Sequence, residues 1–129
     1  LIKYLYIYRY TYVDMYKINQ EKYYGNVEYK VELNNIDESK INRYATQLKF
    51  RIIEGKGKAM YFIGVKDDGN IVGVENKLIP EYSKIMKNIA SKVESEITDI
   101  ISIGLPFKDY SIMMIKIKGL FDMQSIFYF

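Results

Sequence analysis

Residues 59–74 read AMYFIGVKDDGNIVGV, and this run sets the architecture expected for the rest of the chain. Residues 59–65 have the apolar composition of a buried strand, and residues 71–74 return as another strand. Between them, the sequence DDGN at residues 67–70 predicts a tight hairpin turn. An Asp-Gly pair readily adopts the positive φ angles that such turns require. The run therefore predicts a β-hairpin.

A strand and a helix are predicted before this hairpin. Apolar and charged side chains alternate over residues 27–33, which is the period-two pattern of a half-buried strand. Asp37 then offers a helix N-cap, and Gly55 lies where the C-terminal cap of that helix is expected. The apolar residues between these caps fall on one helical face: Ile41, Tyr44, Ala45, Leu48 and Ile52.

A second helix and two more strands are predicted after the hairpin. Pro80 suits the first turn of a helix, because the N–H that proline lacks has no partner there. The buried stripe of this helix comprises Tyr82, Ile85, Met86, Ile89 and Val93. Residues 98–103 and 111–118 are predicted as strands, with a turn at residues 104–109 between them.

The element order β-α-β-β-α-β-β predicts an α+β fold. We expect a ferredoxin-like split βαβ sandwich, with two helices on one face of a mainly antiparallel sheet. Residues 25–118 form this single domain, preceded by an extension at residues 1–24 and followed by an irregular tail at residues 119–129. The extension is either real or upstream sequence translated with the gene, and Met15 is an alternative start.

Composition narrows the function classes. The 129 residues include no Cys and no His, so thiolate chemistry, imidazole bases and the usual zinc ligands are excluded. A net charge of +3 does not demand an anionic partner. No run of apolar residues is long enough to span a membrane, so we expect a cytoplasmic protein with no membrane partner. The 14 tyrosines match an AT-rich coding bias and carry little functional meaning.

Two short motifs suggest nucleotide binding, and neither is complete. The sequence GKGK at residues 55–58 lacks the spacing and the Ser or Thr of a phosphate loop. It also lacks the third glycine of a dinucleotide-binding turn, because Met60 stands there. Asn76 and Lys77 resemble the start of a guanine-reading motif, but Ile79 replaces its Asp. We interpret residues 55–58 as a helix-ending loop.

Paired carboxylates provide no better case for catalysis. Asp67 and Asp68 occupy a tight turn, where Asp is favoured for local backbone hydrogen bonds. Glu94 and Glu96 end an amphipathic helix. We therefore predict no catalytic residues and no metal site in this chain.

Positive charge is concentrated between residues 40 and 58. Six cations lie there against a single anion, Glu54: Lys40, Arg43, Lys49, Arg51, Lys56 and Lys58. Such a cluster could neutralise RNA phosphates. The alternative is a solvated helix face with no ligand, on which Arg51 and Glu54 pair at the surface.

Parts of the chain resemble the GTP-binding protein 1 and 2 family of elongation-factor-like translational GTPases. The matching segments are GNVEYK at residues 25–30, ATQLKFR at 45–51, EGKG at 54–57 and AMYFIGV at 59–65, with Asp67, Gly69, Val72 and Gly73 in step. The resemblance covers about residues 25–118. It is most specific over residues 46–73, where polar and glycine positions agree as well as apolar ones.

The resemblance implies a non-catalytic domain that precedes the GTPase domain of this family. GTP and Mg²⁺ would belong to the full-length protein, and this chain alone would bind no cofactor. The tail does not match the strand that leads into the family's phosphate loop, so either the gene product is truncated or its last coding segment is wrongly assigned. The residues expected to contact RNA or the ribosome are Thr46, Gln47, Lys49, Arg51, Lys56 and Lys58. Partners would be the ribosome, tRNA, mRNA or the missing GTPase domain itself.

A second resemblance concerns the hairpin alone. Residues 63–74, IGVKDDGNIVGV, are similar to the hairpin of Schlafen-type nucleic-acid-binding domains. This keeps open a stand-alone module that binds RNA or DNA. A third alternative is a domain that only docks against a GTPase body through apolar surface.

Overall fold

The structure is a computed structural model that describes residues 17–122. Its elements are β1 (Val27–Lys30), α1 (Glu38–Glu54), β2 (Lys58–Ile63), β3 (Val74–Glu75), α2 (Ile79–Ser91), β4 (Ser95–Gly104) and β5 (Tyr110–Gly119). A short 3-10 helix, Asn76–Leu78, leads into α2. The alternative start at Met15, residues 1–16 of the extension and residues 123–129 of the tail lie outside the described residues.

One mixed sheet of five strands carries both helices, which confirms the predicted α+β class. β5 is the central strand: it pairs antiparallel with β2 and β3, and also with β4. β1 pairs with β2 in parallel and forms the outer edge of the sheet. The pairing between β4 and β5 shifts register at Ile97 and Asp99.

β1 and β2 are direct neighbours, joined by α1 as a parallel crossover. No described strand lies between them, so this βαβ unit is closed where the sequence predicted a split one. The third strand, predicted at residues 71–74, is also shorter and begins later than expected. Ile71 makes only an isolated bridge to Val65, and the sheet pairing begins at Val74.

Both helices pack on one face of the sheet, as predicted. Asp37 caps the N-terminus of α1, and its carboxylate accepts a hydrogen bond from Lys40 N over 2.8 Å. The core on this side takes alternate residues of β2 and β5, namely Ala59, Tyr61, Ile63, Met113, Ile115 and Ile117. These meet Leu48 and Ile52 of α1 and Met86 and Ile89 of α2.

A smaller apolar cluster covers part of the opposite face. Phe62, Ile112 and Met114 of the sheet pack there with Val65 and Ile71 of the hairpin, and with Ile18. Ile18 is buried and donates its N–H to Gly69 O over 2.8 Å. The packed unit therefore begins before residue 25, and residues 17–24 belong to it.

The hairpin turn forms where the DDGN sequence predicted it. Gly69 N donates to Lys66 O over 2.8 Å, and Gly69 adopts a φ of 93°. The Asp68 carboxylate accepts from the backbone N–H of Asn70, which lowers the pKa of Asp68.

At the other end of the domain, Leu120 N donates to Glu94 O, and Phe121 packs against the helix-side core. The unit thus also extends past residue 118.

Candidate nucleic-acid interface

Arg51 is buried, with 3% of its surface exposed, although it belongs to the predicted basic surface. Its Nε donates to Glu28 Oε1 over 3.1 Å. Nη1 donates to the carbonyls of Tyr24 (2.9 Å) and Gly25 (3.0 Å), and Nη2 donates to that of Lys22 (2.8 Å). The guanidinium therefore joins α1 to β1 and to the loop before it.

This burial corrects the assignment of Arg51 to an RNA-contacting surface. A phosphate would have to displace Glu28 and three backbone carbonyls from a site closed to solvent. The predicted alternative, a surface ion pair between Arg51 and Glu54, is also wrong. Arg51 instead forms its ion pair with Glu28. The sequence shows that a helix carries a positive charge. It does not show whether an acidic residue from a distant part of the chain packs against that charge.

Thr46 and Gln47 have local structural contacts. The Thr46 hydroxyl donates to Asn42 O, one turn earlier in α1, over 3.1 Å. Gln47 Oε1 accepts from Lys30 Nζ over 2.8 Å, and that ammonium also lies 4.2 Å from the centre of the Tyr44 ring. Thr46 is exposed and Gln47 is half-buried. Neither is brought beside residues 56–58 by a described contact.

The three predicted lysines are exposed, and the end of β5 approaches them. Lys58 pairs in register with Lys118, and Gly119 N donates to Gly57 O over 2.8 Å. Lys49 Nζ lies 5.8 Å from the centre of the Phe121 ring, just beyond β5. We call Lys49, Lys56, Lys58 and Lys118 the lysine cluster. Lys118 is not among the residues predicted from sequence, because the register that places it opposite Lys58 is a long-range property.

Acidic residues limit the cluster on one side. Glu96 of β4 pairs in register with Lys118, and Glu54 ends α1 just before the loop that carries Lys56. On the other side, Asn26 Nδ2 donates to Lys58 O over 3.2 Å. The cluster is therefore most open to an anion at Lys56 and Lys58, toward the loop that precedes β1.

That loop carries exposed aromatic rings. Tyr23 and Tyr24 are 88% and 54% exposed, and their rings meet edge to face with centres 5.6 Å apart. Lys22 Nζ lies 5.6 Å from the centre of the Tyr24 ring. Tyrosine is so abundant throughout the chain that its presence in this loop carries no signal in the sequence. Only their exposure separates them from the tyrosines of the core.

A cavity of about 400 Å³ opens beside this loop at the outer edge of β1. Its lining comprises Asn19, Gln20, Glu21, Lys22, Tyr24, Gly25, Asn26, Val27 and Tyr29. Asn26 links the cavity to the lysine cluster through its hydrogen bond to Lys58 O. Two tyrosines, three residues with amide side chains, one lysine and one glutamate thus line a single concave space.

Glu21 has an unusual protonation equilibrium in this lining. Burial raises the pKa of its carboxyl to about 7, and a hydrogen bond with the Glu28 carboxyl acts in the same direction. The backbone N–H of Tyr29 donates to the Glu21 carboxylate and partly opposes this rise in pKa. Glu28, in turn, is held by Arg51. Near neutral pH, Glu21 therefore exchanges between a protonated and an ionised form.

A second cavity, of about 390 Å³, is lined by Glu75, Asn76, Lys77 and Asp109. Ser111 Oγ donates to Asn76 Oδ1 over 2.6 Å, so Asn76 is held within the fold.

Across residues 17–122, no group of three acidic side chains is arranged to hold a metal ion. Within the same residues, neither helix is long and apolar enough to cross a membrane.

Comparison with known proteins gives partial matches. The chain is 39% identical to GTP-binding protein 2 of Mus musculus over 74 residues, which is 57% of this chain and 12% of that protein. The Homo sapiens protein of the same name matches over the same shares. An uncharacterized protein of Acanthamoeba polyphaga mimivirus is 38% identical over 96 residues, 74% of this chain and 45% of its own length.

No family model matches the chain. No solved structure matches it either. The curated relatives are all longer than the region they share with this chain, which spans at most 45% of their length. The identities support a link between this chain and the GTP-binding protein family.

Proposed function

We propose that this domain is the RNA-contacting part of a translational GTPase related to GTP-binding protein 2. The observation that carries the proposal is the pairing of Lys58 with Lys118 in the β2–β5 register, with Lys56 in the loop that leads into β2. Several lysines at one place can neutralise neighbouring phosphates and release their counterions. GTP and Mg²⁺ would bind to another domain of such a protein.

Two features of this surface favour RNA over a solvated, ligand-free face. Lys58 and Lys118 extend from paired strands, since Ala59 and Ile117 beside them lie in the core. Exposed aromatic rings also stand on the adjacent loop, and such rings can stack on unpaired bases. Within the ribosome or a messenger, RNA offers both phosphates and bases to such a surface.

The test is binding of a fluorescently labelled single-stranded RNA to the full chain, measured by anisotropy at two salt concentrations. We expect Lys56→Glu with Lys58→Glu to weaken binding at least tenfold and to flatten its salt dependence. The slope of log K against log salt should fall by roughly 0.7 for each lost phosphate contact. A matched control is Lys84→Glu with Lys87→Glu, two exposed lysines of α2.

Equal RNA affinity in both double variants would overturn the proposal and favour docking against a GTPase body. Equal affinity for RNA and for single-stranded DNA would instead favour the stand-alone nucleic-acid module. A GTPase reading frame directly downstream in the gene would argue for the domain of a larger GTP-binding protein.

A further inference from the structure

The cavity at the edge of β1 has the size and lining of a site for a flat, polar heterocycle. Its volume of about 400 Å³ lies in the range of small-molecule sites, roughly 300–1,000 Å³. The Tyr24 ring offers a stacking surface, while the amides of Asn19, Gln20 and Asn26 offer both donors and acceptors. A nucleobase combines an aromatic face with a polar edge, and it matches this lining better than an apolar ligand does.

The backbone around the cavity is held in advance of binding. Arg51 ties down the carbonyls of Lys22, Tyr24 and Gly25 from inside the protein. Nearer the start of the loop, the Tyr29 hydroxyl donates to Asn19 O over 2.8 Å. A loop fixed at both ends loses less conformational freedom when a ligand binds, which favours affinity. The loop is therefore positioned by buried contacts, while its side chains stay exposed.

Charge around the cavity fits a ligand that carries phosphate. Lys22 lines the cavity together with Glu21, whose carboxyl is partly protonated near neutral pH because burial raises its pKa to about 7. The backbone of Lys58 adjoins the cavity, since Asn26 Nδ2 donates to the Lys58 carbonyl. Lys22 and the exposed side chain of Lys58 are therefore the cations available to the phosphates that flank a bound base. Bases inside a duplex are stacked and paired, so only an unpaired strand can present one to such a cavity.

We propose that this cavity binds one unpaired base of single-stranded RNA, stacked on Tyr24, with the adjoining phosphates on Lys22 and Lys58. This inference rests on the proposed RNA-contacting function and adds the part of the RNA that is recognised. Phosphate contact by the lysine cluster alone would give no preference among bases. The amides of Asn19, Gln20 and Asn26 give the site the means to distinguish one base edge from another.

The experiment compares Tyr24→Ala with Tyr24→Phe in the anisotropy assay with a ten-nucleotide RNA. Tyr24→Ala should lose roughly five- to hundredfold in affinity, the usual range for removing one stacking aromatic. Tyr24→Phe keeps the ring and should bind within about twofold of the original chain. The same RNA annealed into a duplex should bind both variants equally. Thermal melts of both variants verify that they fold.

A second readout follows the cavity directly. Titration with adenosine, cytidine, guanosine and uridine monophosphates should shift the Asn26 side-chain amide signals in NMR spectra, with one base giving the tightest binding. If Tyr24→Ala binds RNA as well as Tyr24→Phe does, while Lys56→Glu with Lys58→Glu weakens binding, the base site is wrong and the RNA proposal stands. If the chain binds no RNA at all, both proposals fall.

Discussion

Arg51 and Glu28 form a buried ion pair, with Arg51 Nε 3.1 Å from Glu28 Oε1. The pair joins α1 to the edge strand β1, and both residues are less than one-tenth exposed. Arg51 also satisfies three carbonyls of the loop before β1. One side chain thus connects the core to the cavity and to the exposed tyrosines.

The first prediction concerns the loss of this guanidinium. Arg51→Met should lower the free energy of unfolding by roughly 3–5 kcal/mol, because the buried Glu28 carboxylate keeps only the longer contact to Lys30 Nζ (3.8 Å) and three carbonyls lose their donor. Adding Glu28→Met should recover only part of that loss, since the three carbonyls remain unpaired. Arg43→Met, at an exposed position of the same helix, should change the free energy by no more than about 0.5 kcal/mol. Urea unfolding of the three variants checks this, and equal effects at Arg51 and Arg43 would contradict it.

The second prediction compares two buried tyrosines. Tyr61 and Tyr82 are each 1% exposed. Tyr82 donates its hydroxyl to Asn34 Oδ1 over 2.7 Å, whereas the Tyr61 hydroxyl has no hydrogen-bond partner among the described residues. Tyr61→Phe should therefore stabilise the protein by about 1 kcal/mol, and Tyr82→Phe should destabilise it by a similar amount. Melting temperatures that move in the same direction for both variants would refute the assignment.

The third prediction is a pH dependence of stability set by Glu21. Its pKa is raised from 4.5 to about 7 in the folded protein, so the folded state binds the proton more tightly than the unfolded state does. Its stabilising contribution is present below about pH 4.5 and is lost as the pH rises through about 7. The charged groups that face it are Glu28, Asp67 and, through Glu28, Arg51.

Glu21→Gln should remove this dependence while keeping an acceptor for the N–H of Tyr29. Between pH 5 and pH 8, we expect the melting temperature of the original chain to fall more than that of Glu21→Gln. Glu38→Gln, at an exposed position of α1, is the control and should follow the original chain. Parallel curves for Glu21→Gln and the original chain would show that Glu21 does not titrate in this range.

The fourth prediction tests the packing of residues 17–24 against the hairpin. A Cβ at Gly69 would lie 1.9 Å from Ile18 O, whereas one at Gly25 would meet nothing within 4 Å. Both glycines have positive φ angles, 93° and 86°, so alanine is strained at either position. Gly69→Ala should lower the free energy of unfolding by more than about 2 kcal/mol and by more than Gly25→Ala does. Similar losses would mean that the segment at Ile18 is not packed as described.

The fifth prediction is that this chain alone binds no guanine nucleotide. In a phosphate-binding loop, the glycines and the lysine lead into a helix. Here the loop Gly55–Gly57 follows α1 and leads into β2. Titration with a fluorescent GTP analogue should show no saturable binding in the micromolar range, and such binding would contradict the prediction.

Local patterns predicted the elements of this fold well. The apolar stripe Ile41, Ala45, Leu48 and Ile52 is the buried face of α1, and Asp37 caps it. The DDGN turn forms as its residue types require. These features depend on neighbours within a few residues, so the sequence shows them directly.

The failures are all long-range. The alternating pattern at residues 27–33 predicted a strand with Glu28 exposed and Val31 buried, yet Glu28 is 8% exposed and Val31 is 41% exposed. α1 covers the face of β1 that carries Glu28, and Arg51 of that helix neutralises the carboxylate that is buried there. The cavity and the position of Lys118 likewise depend on which strands become neighbours. Sequence periodicity carries no information about that choice.

The central place of β5 constrains how the domain can fold during synthesis. β2, β3 and β4 all pair with β5, although each is translated before it. Until residues 110–119 emerge, only the β1–β2 unit can form its sheet contacts, and β4 has no partner strand. Non-local pairing of this kind slows folding and leaves strand edges open meanwhile. A ribosome that pauses before residue 110 would therefore hold an unclosed sheet, whose completion depends on the last described strand.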